Sequence, residues 1–139
     1  MKRAIAVLAL LVLPSFTFAQ GVSVEAFEKI LTDSLKIEFD KKGDPAKVIE
    51  YDLKGTPYYA YYNAGGKFVN FLVRDKANGV TLQKVNEWNV NALWSRAYIL
   101  QQAVVLECTI SLDAAPSLIG NYYRMFDADA KKFAEFLGK

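Results

Sequence analysis

The sequence contains no histidine. That removes the side chain best suited to proton transfer near neutral pH, and with it any Ser-His or Cys-His nucleophile pair. Cysteine occurs once, at Cys108. No intramolecular disulfide can form, so a core must hold without covalent staples. No P-loop, dinucleotide fingerprint or zinc spacing is present. There is no internal repeat and no low-complexity linker. The one long apolar run, Ala4 to Leu13, falls short of the ~20 residues a membrane-spanning helix needs.

That run has another use. Lys2 and Arg3 precede it, Pro14 ends it, and Thr17 and Ala19 offer small residues at the −3 and −1 positions of a signal-peptidase site. The grammar is that of a secretory signal over residues 1–19, cleaved near Ala19. It predicts a periplasmic or secreted protein with no stable membrane span once the signal is gone. The formal charge of +2 also rests on Lys2 and Arg3, so the mature part, residues 20–139, is electrically balanced. Without clustered Lys and Arg there is no footprint for a phosphate backbone, which argues against nucleic acid as a partner. By length the mature part is one domain.

Along the chain the hydrophobic period changes several times. Ser23 can cap a helix carrying Val24, Phe27, Ile30, Leu31 and Leu35. "KKGDP" (Lys41 to Pro45) breaks the chain. Ile49, Tyr51 and Leu53 then alternate as a strand, "PYYAYY" (Pro57 to Tyr62) makes a second, and "NAGG" (Asn63 to Gly66) is a hairpin loop. Val69, Phe71 and Val73 mark a third. Thr81 caps a second helix with Leu82, Val85 and Trp88 toward the core. Two strands follow, Trp94 to Leu100 and Ala103 to Leu112, joined through Gln101 and Gln102. Pro116 opens a final helix with the stripe Ile119, Tyr122 or Tyr123, Phe126, Ala130, Phe133 and Leu137. The fold class is α+β: a single antiparallel sheet of about five strands with three helices, in the order α-β-β-β-α-β-β-α.

Few residues are candidates for chemistry. Cys108 alternates onto the apolar face of its strand, where cysteine behaves as a small hydrophobe. Asp127 and Asp129 cannot share a helix face. Asp40 and Asp44, interspersed with lysines, read as a solvated turn rather than a calcium loop. No catalytic residue, metal ligand or cofactor site is predicted. Two features remain. In "YYAYY", Tyr58 and Tyr62 face one way and Tyr59 and Tyr61 the other, which makes these four the candidate partner face. In "KVNEWNVNALWSRAYI" (Lys84 to Ile99), Asn86 and Asn89 lie three apart on one helix face, suited to tying down exposed backbone.

This second stretch resembles the N-x-W-N element, followed by Ser-Arg and Tyr, of the YbjN domain family, proposed bacterial sensory transduction regulators. Asn86, Trp88, Asn89, Arg96, Ala97 and Tyr98 match residue by residue. The order of elements fits from Ser23 to the end of the chain. The resemblance implies a fold similar to type III secretion chaperones and a non-catalytic interaction module, with Asn86, Trp88, Asn89, Arg96 and Tyr98 as structural motif residues. The chain departs from the family at Ala114, Ala115 and Pro116, where a Gly-Gly often stands, and at Gln101 and Gln102, where Gly or Asp is usual. The function expected is an exported, regulatory or chaperone-like protein-binding module, its partner another polypeptide or a second copy as a homodimer. The rival is a small-ligand or enzymatic pocket between sheet and helices, with Asn86, Asn89 and Arg96 converging on it.

Overall fold

The computed structural model describes residues 22–44, 46–62, 67–113 and 116–138. The signal segment over residues 1–19, the Asn63–Gly66 loop and Ala114–Ala115 lie outside the described residues.

Ser23 starts helix α1 (Val24–Lys29) as expected, its hydroxyl accepting from the Ala26 N–H at 3.2 Å. The helix widens into a π-helical turn (Ile30–Ser34) and stops where the Ile37 N–H reaches back to the Leu31 carbonyl at 2.9 Å. That bond, one residue wider than a Schellman cap's six-to-one bond, closes over Lys36, which sits at φ 56°. Six strands then form one antiparallel sheet: β1 (Glu38–Gly43), β2 (Ile49–Lys54), β3 (Tyr58–Tyr62), β4 (Phe68–Lys76), β5 (Arg96–Leu100) and β6 (Ala103–Ser111). Helix α2 (Leu82–Asn91) connects β4 to β5, and α3 (Pro116–Leu137) ends the chain. The spatial order is β1-β2-β3-β4-β6-β5, so the long strands β4 and β6 lie side by side inside and β5 forms an edge.

The class and element order match the sequence reading, with one strand more. The additional strand is β1, whose second half, Lys41 to Gly43, lies in the stretch expected to break the chain. Its sequence, EFDKKG, has no apolar alternation, and it survives as an edge because its charges pair. Lys54 meets Asp40 at 3.0 Å, Lys42 meets Asp52 at 3.5 Å, and Lys41 reaches Glu28 on α1 at 2.6 Å. Gly43 ends β1 at φ +92°, and a Cβ there would stand 2.6 Å from the Val48 carbonyl oxygen.

The register sorts every strand residue onto one of two faces. Ile49, Tyr51, Leu53, Tyr58, Ala60, Tyr62, Val69, Phe71, Leu106, Cys108 and Ile110 share the covered face and are buried. Phe27 of α1 stacks on Tyr62 at 5.8 Å and meets Tyr51 edge-on at 5.3 Å. On α3 the buried stripe is Ile119, Tyr123, Phe126, Ala130 and Phe133, which settles the phase between Tyr122 and Tyr123. Tyr123 and Phe126 pack on Phe71 and Tyr58. Trp88 of α2 meets Phe133 at 4.9 Å, so α2, which lies along the β5 edge, joins α3 there. Leu82 corrects the sequence reading: expected on the core side with Val85, it is 69% exposed. None of the described helices is long and apolar enough to cross a membrane.

Candidate functional site

Two regions carry the residues singled out by the sequence. The first is the turn from α2 into β5. β5 is an edge strand, and its two-residue turn to β6 makes Leu100 and Ala103 a hydrogen-bonded pair. Alternation then aims the N–H and C=O of Ala97 away from β6. Asn89 meets both: its Nδ2 donates to the Ala97 carbonyl at 2.8 Å, and its Oδ1 accepts from the Ala97 N–H at 2.7 Å. One primary amide thus stands in for a neighbouring strand. Arg96 donates from Nη1 to the carbonyls of Ala92 at 3.0 Å and Ser95 at 2.9 Å, closing the turn on itself. Ser95 is fully buried, and its hydroxyl donates to the Asp129 carboxylate on α3 at 2.8 Å.

Trp88 packs by its ring against Phe133 and Phe136, while its Nε1 is buried with no hydrogen-bond partner among the described residues. Trp94, expected to begin a strand, instead lies in the turn, half exposed over Tyr122 at 5.8 Å. Beside these two rings lies a cleft of about 310 Å³ lined by Trp88, Trp94, Leu93, Asp129 and Lys132 among others. Asn86 is elsewhere: it is exposed on the outer side of α2, with no side-chain hydrogen bond among the described residues. Asn86, Asn89 and Arg96 do not converge on a common space. Ser95 and Asp129, which lie 34 residues apart, are the pair that sequence reasoning missed as a pair.

The second region is the sheet face opposite the helices. Among the described residues no helix covers it. Its middle holds Tyr59 and Tyr61 of β3, Asn70, Leu72 and Arg74 of β4, Val105, Glu107 and Thr109 of β6, and Tyr98 of β5. The three tyrosines are half-buried, and Leu72 and Val105 are buried among them. Tyr98 donates to Glu107 at 2.9 Å, and Arg74 donates to the Tyr61 hydroxyl at 3.4 Å. Burial, then the Glu107 carboxylate, holds the Tyr98 phenol above its ordinary range.

Tyr58 and Tyr62 belong to the other face. Tyr58 is buried with its hydroxyl on Asp127 at 2.9 Å, and Tyr62 is buried with its hydroxyl 3.4 Å from the Val22 carbonyl. They are core residues, so the tyrosine-bearing surface reduces to Tyr59 and Tyr61, joined by Tyr98. Cys108 is buried and its thiol is pushed up to about 11, mainly by burial. Among the described residues no three His, Cys, Asp or Glu side chains are placed to hold a metal ion.

No family model matches the chain, and no curated protein does. Among solved structures the chain is similar to the crystal structure of YbjN from E. coli, a proposed transcription regulator. The match has a TM-score of 0.56 at 12% identity and covers 78% of this chain and 87% of that one. At that identity the likeness shows the fold: this chain has a YbjN-like fold.

Proposed function

We propose that this chain is an exported, non-catalytic protein-binding module with a YbjN-like fold, acting in the periplasm through the helix-free face of its sheet. The observation that carries the reading is that face itself. Half-exposed Tyr59, Tyr61 and Tyr98 rise among Arg74, Asn70, Glu107 and Thr109 on a rigid six-stranded platform. Aromatic rings with polar tips, flanked by both signs of charge, are the composition of a recognition surface. The N-terminal signal grammar supports export. The fates of the polar residues support a non-catalytic role, since the Asn89 amide and the Arg96 Nη1 are bonded to backbone and Cys108 is an inert buried thiol.

A role in transcription belongs to the E. coli protein's description and is not carried over. The electrical balance of the mature part and its export both weigh against it. The pocket reading loses ground because its three residues serve different places.

The test is affinity capture from an envelope fraction, with a Tyr59→Ser, Tyr61→Ser double variant beside the parent. Both rings are half-buried beside Leu72 and Val105, so the variant melts at a lower temperature than the parent but keeps its fold, which circular dichroism and a cooperative unfolding transition check before capture. The parent enriches a discrete partner that the variant does not; equal recovery removes the face from consideration. Mass spectrometry of the secreted or periplasmic chain checks the export half, with Gln20 as the expected new N-terminus. An unprocessed chain found in the cytoplasm would refute export.

A further inference from the structure

The chain has two tryptophans, and both line the same small cleft, where the end of α2 and the turn after it meet α3. The open-face reading makes no use of it. One wall is apolar. The Trp88 ring is backed by Phe133 and Phe136. Trp94 is half exposed over Tyr122, and Leu93 is 86% exposed. Apolar side chains exposed singly carry no message, but these two are neighbours and border one hollow. The opposite wall is charged. α3 supplies Asp129 and Lys132, three residues apart and so on one helix face. Opposite charges at that spacing can pair, yet among the described residues neither is in an ion pair. The buried Ser95 hydroxyl holds Asp129 by Oδ2 at 2.8 Å, and Oδ1 has no hydrogen bond among the described residues. Asn91 closes α2 at the same place. Its Nδ2 is bonded to the Glu87 carbonyl at 2.8 Å, which leaves its Oδ1 uncommitted. The end of α2 also carries the negative pole of the helix, and no basic side chain in its last turn offsets it.

We infer that this cleft binds a free α-amino acid with a large apolar side chain, held as its zwitterion. The α-ammonium brings three donors and a positive charge, which meet Asp129 Oδ1, Asn91 Oδ1 and the indole rings. The α-carboxylate takes the Lys132 ammonium. The ligand's side chain covers Leu93 and Trp94. Two opposite charges kept apart on one helix face match a ligand that bears both charges on one carbon. They disfavour a simple organic cation, which Lys132 repels, and a simple anion, which Asp129 repels.

The size agrees. At about 310 Å³ the cleft stands at the small end of ligand sites, which suits one amino acid and excludes a nucleotide or a folded peptide. This inference is independent of the open-face reading and uses a different surface.

The test uses the whole processed chain at about pH 6.5, where α-amino groups are charged. Both tryptophans line the cleft, so intrinsic fluorescence reports it directly. L-Leucine and L-phenylalanine, titrated to ~10 mM, change the emission saturably. Leucinamide lacks the carboxylate and N-acetylleucine lacks the ammonium, so each binds about tenfold or more weakly than leucine. Asp129→Asn keeps an oxygen for the Ser95 hydroxyl, and Lys132→Gln changes an exposed tip, so both variants keep the parent's circular dichroism. Each binds leucine about tenfold more weakly. Lys132→Gln also removes leucine's advantage over leucinamide, which a loss of stability alone would not do. The Tyr59→Ser, Tyr61→Ser variant binds leucine like the parent. No saturable change with either amino acid, leucinamide bound as tightly as leucine by the parent, or parental affinity for leucine in Asp129→Asn and Lys132→Gln overturns the proposal.

Discussion

Asn89 works as a peptide group carried on a side chain. Its amide gives Ala97 the donor and acceptor that a further strand would have given. Asn89→Ala leaves both Ala97 groups without partners in a half-buried place and costs about 2–4 kcal/mol, read by urea unfolding at constant m. Asn89→Asp keeps the acceptor but puts a carboxylate against a carbonyl, so it also destabilises; a variant within ~0.5 kcal/mol of the parent would show the clamp to be idle. Ser95→Ala costs about 1–3 kcal/mol by leaving Asp129 short of a donor. Cys108 gives a pH signature. Its folded value near 11 lies above the ordinary 9, so the buried neutral thiol contributes fully below pH 9 and its contribution fades as pH rises toward 11. Tyr51 and Tyr58 are raised by burial and by their carboxylate partners, and they act in the same direction above pH 10. Stability therefore falls over pH 9–11, and Cys108→Ala loses a share of that fall on the order of 2 kcal/mol. A native Cys108 that reacts readily with a thiol reagent at pH 8 would contradict this.

At the scale of elements, two positions sit at φ 56° without being glycine: Lys36, which closes the helical N-terminal segment, and Gln101, in the β5–β6 turn. Lys36→Gly and Gln101→Gly should each raise stability by up to ~1 kcal/mol, the strain relieved less the entropy glycine adds to the unfolded chain. Gly43 is the reverse case. Gly43→Ala meets the Val48 carbonyl and a disallowed φ, so it unravels the β1–β2 hairpin first, and hydrogen exchange should show β1 amides exchanging well ahead of β4 and β6. These same places mark the limits of what the sequence could say. Strands with buried alternation, such as Ile49-Tyr51-Leu53 and the Cys108 strand, were legible because one face is apolar. β1 was not, because its reason to pair is charge matched across strands, which has no local period. Leu82 was misplaced because a helical stripe can be drawn through Leu82, Val85 and Trp88 or through Leu82, Asn86 and Val90, and only packing chooses. Asn89 was legible as a clamp by its amide and phase, whereas Ser95 and Asp129 meet only through the fold.

At the scale of the whole molecule, α1 and α3 pack on one side of the sheet and α2 lies along its β5 edge, and the other side is left to tyrosine, leucine and mixed charge. The account's central claim is that this side meets a protein partner. Site-specific photocrosslinking in cells tests it most directly, with the crosslinker placed in turn at Tyr61 and Asn70 on the open face, at Val90 on α2 and at Glu135 on α3. The account predicts discrete adducts with a foreign protein from positions 61 and 70, and none from positions 90 and 135. Foreign adducts from the helix side alone, with positions 61 and 70 silent, would contradict it.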